Sequence, residues 1–133
     1  MSKLIYTTAI IAVLSVPAFA DNMSNARLMS QMPTDSVTVT DWYKQSVYDP
    51  QDHKIGEVMD VLVDKTGKVT SLIIGVGGFL GAGEKDVAVP FDAVHLTNKG
   101  NDKWYLVMNT TKDDLKTAPG FKYDRNSTTW VAD

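Results

Sequence analysis

Ile73-Ile74-Gly75-Val76-Gly77-Gly78-Phe79-Leu80-Gly81-Ala82-Gly83-Glu84-Lys85-Asp86-Val87-Ala88-Val89-Pro90 is the stretch on which the fold turns. Its two ends are short runs of β-branched and apolar residues, which suit a pleated surface. Its middle is a glycine-rich connection. A dinucleotide fingerprint would need G-x-G-x-x-G opening a helix, but after Gly75 and Gly77 the third glycine position holds Leu80, and a strand-like run follows. A phosphate-cradling P-loop would need Lys and then Ser or Thr after its last glycine. The span from Gly78 to Gly83 fits that pattern, but Glu84 stands where the lysine belongs. The glycines are therefore read as providing tight turns and close strand approach.

Working outward, Ile55–Val63 is apolar with partial period-two alternation, which implies burial on both faces. Asp64-Lys65-Thr66-Gly67 breaks it as a hairpin turn, and Val69–Val76 returns. Downstream, Asp86–Pro90 predicts a short strand and Phe91-Asp92-Ala93 a corner. Val94–Thr97 and Trp104–Met108 flank the polar turn Asn98–Asp102 as a second hairpin. Thr111-Lys112-Asp113-Asp114 has the form of a helix N-cap with acidic residues behind it, and Pro119-Gly120 stops that helix. Upstream, Val37–Thr40 predicts a strand, Trp42–Tyr48 extended chain, and Asp49–Asp52 a turn. Tyr123 and Trp130, in the last stretch, are expected to pack back on the body. Many short strands, one short helix and no βαβ spacing indicate a mostly β chain forming a small barrel or rolled sheet.

Met1–Lys3, an apolar run over Leu4–Val16 and Ala18-Phe19-Ala20 have the layout of a secretory signal peptide. Cleavage is expected after Ala20, with the mature protein in the periplasm and without a stable membrane span. Removing Lys3 from 13 basic residues leaves 12 against 16 acidic ones, and no basic face stands out, so nucleic acid is not an expected partner. With no cysteine, disulfides and thiolate chemistry are excluded. Residues 1–20 are thus read as the signal peptide, 21–36 as a flexible leader, 37–123 as the folded domain and 124–133 as a tail.

Lys54-Ile55-Gly56-Glu57-Val58-Met59-Asp60-Val61-Leu62-Val63-Asp64, then Gly67-Lys68-Val69, then Asp86-Val87-Ala88-Val89-Pro90-Phe91 resemble the hairpin, loop and returning strand of the PRC-barrel family. The resemblance covers roughly Val39 to Met108, and the wording around the glycine loop is similar to an exported proteobacterial branch. It implies a small PRC-type β-barrel with one short C-terminal helix. The family includes the cytoplasmic domain of the photosynthetic reaction-centre H subunit and the C-terminal domain of a ribosome-maturation factor, where the barrel is a docking module without catalysis. Neither partner carries over to an exported chain.

Candidate chemistry is sparse. No nucleophile elbow is present, so no enzyme activity and no cofactor are expected. Asp49, Asp52 and His53 are weak metal candidates, as are Asp60 with Asp64, but the order of a calcium loop is missing and the two histidines are far apart in sequence. The candidate interaction loop is Gly77, Gly78, Phe79, Leu80, Gly81, Glu84 and Lys85. Phe79 and Leu80 either plug the barrel or project as an apolar contact with a charged rim. Trp42-Tyr43 and Trp104-Tyr105 should each place one ring inward and one outward. The expected function is protein–protein docking in the cell envelope, with an envelope protein or a second copy as partner. A small-ligand or metal-ion binder using the acidic turns is the alternative.

Overall fold

The computed structural model describes residues 9–13, 25–77, 83–98 and 104–133. The chain divides into residues 1–34 and 35–133. Among the described residues of the first unit there is no helix or strand.

In the second unit the apolar runs form the expected hairpin. β2 (Lys54–Val63) and β3 (Val69–Val76) pair antiparallel. The turn between them is held by Asp64, whose Oδ1 accepts from the Thr66 N–H, the Thr66 hydroxyl and the Lys68 N–H. Gly67 sits there at φ 88°, a left-handed conformation that costs glycine little. β1 (Ser46–Tyr48) pairs antiparallel with β2, and β4 (Lys85–Pro90) with β3. A 3₁₀ turn at Phe91–Ala93 leads into β5 (Val94–Asn98), which pairs antiparallel with β6 (Trp104–Met108). β6 runs parallel to β1.

The chain then enters the short helix α2 (Lys112–Thr117). The Thr111 hydroxyl accepts from the Asp114 N–H at 3.1 Å, so the cap lies where its residues predicted it. The last stretch, from the end of the folded domain through the tail, forms a hairpin of β7 (Phe121–Asp124) and β8 (Thr129–Ala132). A difference lies at the start of the domain. Val39–Trp42 is a one-turn helix, α1, where a strand was expected, and Thr38 accepts from the Asp41 N–H at its N-cap.

The strand order is β5-β6-β1-β2-β3-β4-β7-β8 in one eight-stranded sheet. Among the described residues the sheet does not close into the expected barrel, and β5 and β8 remain edges. β8 folds over the sheet: the Trp130 indole N–H donates to Asp60 Oδ2 on β2 at 2.8 Å.

The main core lies on one face. Val47, Ile55, Val58, Leu72, Ile74, Val76, Val87, Leu106, Met108 and Leu115 pack together there, fringed by Trp42, which stacks on Phe91 with ring centroids 4.8 Å apart. Ile73 points the other way from Leu72 and Ile74, as strand neighbours must. It is nevertheless 0% exposed. Cross-strand partners share a face, which puts Asp60, Ile73 and Ala88 in one row, and Glu57, Gly75, Asp86 and Phe121 in the next. A register shift between Val58 and Asp60 leaves Met59 as an extra residue opposite β3. Such a bulge re-aims side chains: the Met59 side chain lies close over Gly75 while Asp60 meets Trp130. The β7–β8 hairpin thus meets the face that carries Ile73 at Asp60 and at Asp86.

Candidate interaction surface

At the base of the glycine connection the two strands approach so closely that side chains cannot be accommodated. A Cβ on Gly56 would lie 2.5 Å from Ile74 Cγ2 and 3.0 Å from the Gly75 carbonyl oxygen. One on Gly75 would overlap the Glu84 carboxylate and come within 2.8 Å of Met59 Cγ. The bare backbone forms the floor of a groove of about 380 Å³, lined by Lys54, Ile55, Gly56, Glu57, Gly75, Gly77, Glu84 and Lys112. Its rim has both signs of charge. Lys54 Nζ lies 3.5 Å from Glu57 Oε2, and the Glu84 carboxylate rests on Gly75.

Of the candidate loop residues, Gly77 follows β3 and is exposed, Glu84 is exposed, and Lys85 opens β4 half-buried. Lys85 Nζ donates to the Lys116 carbonyl at the end of α2, at 2.5 Å. Gly78, Phe79, Leu80 and Gly81 lie outside the described residues, as do residues 99–103 of the second hairpin turn. Gly77 and Glu84 therefore share the groove with Lys54, Glu57 and Lys112, which sequence reading did not select. Lys112 comes from a helix far along the chain, and only the packing of α2 against β3 brings it there.

The acidic turn residues are occupied by the turns themselves. Asp49 Oδ1 accepts from the Gln51 and His53 N–H groups, each at 2.9 Å, and Oδ2 lies 3.0 Å from His53 Nδ1. Desolvation pushes the Asp49 carboxyl up, but these hydrogen bonds from His53 and Gln51 outweigh it and hold the group below its ordinary value. Asp52 takes a positive φ of 67° in the same turn. Asp60 binds Trp130 and the Val61 N–H, and Asp64 closes the β2–β3 turn. Among the described residues, no three His, Asp or Glu side chains come together in a metal-holding group.

Asp86 behaves differently. Its Oδ1 is buried without a hydrogen-bond partner, and desolvation holds the carboxyl above its ordinary value. Such a group binds its proton more tightly folded than unfolded, so its penalty is present at neutral pH. That penalty disappears as pH falls through the raised value toward 3.8. Asp86→Asn is expected to raise stability at pH 7 by about 0.5 kcal/mol, discounted because the group keeps partial hydration. The gain over the unsubstituted protein should shrink on acidification. Urea midpoints at pH 7 and pH 4 check this, and a gain unchanged between the two pH values would contradict it.

The PRC-barrel domain profile matches residues 34–115, and the chain belongs to the PRC-barrel family. The match runs from the segment before α1 into α2 and stops short of β7 and β8. No curated protein matches the chain. No helix among the described residues is long and apolar enough to cross a membrane.

Proposed function

We propose that this protein is a non-catalytic docking module, exported to the periplasm by its N-terminal signal sequence, that joins an envelope protein or a second copy of itself. The observation that carries this reading is the open sheet. Among the described residues β5 pairs only with β6, and β8 only with β7, so the sheet ends in strand edges whose outward backbone groups can accept another strand. β5 is the more accessible of the two in composition, with His95 and Thr97 exposed. The apolar pair Phe79-Leu80, set between glycines in the sequence, supplies a second contact on the same reading.

The test uses the mature chain from residue 21 to residue 133. Its solution mass is measured by light scattering, and envelope proteins that it captures are identified. Phe79→Ser with Leu80→Ser, and separately Thr97→Lys on the β5 edge, should leave the circular dichroism spectrum intact. Each should reduce captured partner or self-association by at least about tenfold, the effect of losing one hot-spot contact. Unchanged mass and unchanged capture in both folded variants would sink the reading.

A further inference from the structure

The C-terminal hairpin is better joined to itself than to the domain it covers. Internally, Phe121, Lys122, Tyr123 and Asp124 pair in register with Ala132, Val131, Trp130 and Thr129. Tyr123 and Trp130 meet edge to face at 5.8 Å, and the Asp124 carboxylate accepts from the Asn126 and Ser127 N–H groups and the Ser127 hydroxyl. Its joint to the sheet is slender by comparison. β7 meets β4 at one register pair, Asp86 with Phe121, and β8 reaches β2 through the Trp130–Asp60 bond. The hinge is Ala118-Pro119-Gly120, three residues between the end of α2 and the start of β7. The hairpin also lies beyond the residues that match the family, so the matched domain ends before it.

A short, proline-containing hinge next to a self-sufficient element is the arrangement that lets identical chains exchange that element at little cost. We propose that the β7–β8 hairpin is an exchangeable clasp, which docks on β4 and Asp60 of a second copy of this chain to give a reciprocally swapped dimer. The second copy is the occupant because the receiving surface is, by construction, complementary to this hairpin. The receiving groups are the Asp60 carboxylate and the β4 backbone at Asp86, and the hairpin of any other copy brings the same indole, the same Phe121 register and the same hydrogen bond. The proposal concerns a different surface from the β5 edge and the Phe79-Leu80 pair, and it deepens the self-association branch of the docking reading.

The absence of cysteine gives a direct test. A full chain with Asp86→Cys and another with Phe121→Cys are unfolded, mixed, refolded at high concentration and treated with a short bis-maleimide, which adds one thiol at each end. Positions 86 and 121 face each other across the joint, so a covalent heterodimer forms only when the hairpin of one chain lies on the β4 of the other. The same two changes in one chain report that the reagent spans the joint. Expected are heterodimers from the mixture and cross-linked monomers from the double variant at low concentration. Internal cross-linking with no heterodimer would overturn the exchange.

A second measurement leaves the joint untouched. Four residues, Gly-Ser-Gly-Ser, are inserted between Pro119 and Gly120, and the solution mass is compared with that of the unmodified chain at equal concentration. The longer hinge should return the dimer to monomer, and an unchanged dimer mass would also overturn the proposal. A dimer that persists without cross-chain linkage at 86–121, but dissociates with Thr97→Lys, would remove the exchange and leave the docking reading standing.

Discussion

Ile74→Ala is expected to destabilise the domain by about 2–5 kcal/mol, because it removes a fully buried side chain from the centre of the core. For a domain near 100 residues, each kcal/mol moves the melting midpoint by about 4–8 °C. The informative form of the experiment pairs it with Gly56→Ala. Alone, the alanine methyl at 56 would be driven into Ile74 Cγ2, a stiff branched carbon that cannot swing aside, and should cost about 1–3 kcal/mol. With Ile74 already truncated, that clash is gone, and only the approach to the Gly75 carbonyl remains. The double variant should therefore be less destabilised than the sum of the two single ones by about 1 kcal/mol or more. Chemical denaturation of the four proteins checks it, and strict additivity would show that Gly56 is needed for its backbone alone.

Trp130→Ala should cost about 3 kcal/mol, at the low end for a tryptophan because the ring is only half-buried. It removes the edge-to-face contact with Tyr123 and leaves Asp60 Oδ2 without its donor. Trp130→Phe separates these effects. It keeps an apolar cover and loses the hydrogen bond, so about 1 kcal/mol is expected. Hydrogen exchange sharpens the comparison. Both changes should speed exchange at β7 and β8 before they affect β2 and β3, since the hairpin is held by so few contacts. Uniform acceleration over the whole sheet would mean that hairpin and body unfold as one cooperative unit.

Much of the sheet was legible because its signals are local. Alternation and turn residues located β2, β3, β4, β5 and β6, and the Thr111 cap located α2. The misreading of α1 is instructive, since Thr38-Val39-Thr40-Asp41 has the same Thr-x-x-Asp spacing as Thr111-Lys112-Asp113-Asp114. The four β-branched residues Val37–Thr40 pointed to a strand, and in a one-turn helix the cap outweighed their propensity. β7 and β8 were missed because each is four residues long and their turn has no glycine; Thr128 takes the positive φ of 52° instead. Asp124, as an Asx-type acceptor at the start of that turn, was the available signal. The groove was harder still. Gly56 and Gly75 stand out as strand glycines, but their placement beside Glu84 and Lys112 depends on register and on helix docking, which no local pattern encodes.

The parallel pairing of β1 with β6 bears on how the molecule comes into being. β1 is three residues long, with Val47 fully buried, and it lies between β2 on one side and β6 on the other. Val47 faces Leu106 across that second seam. A chain emerging N-terminus first can form the β2–β3 hairpin early, from neighbours in sequence. β1 can join β2 in the same way, but its other edge must wait until residue 106 has arrived, and closing so long a loop carries an entropic penalty before any contact offsets it. The β1–β6 seam is thus among the last to be fixed, and during that interval the outer edge of β1 is open to other chains.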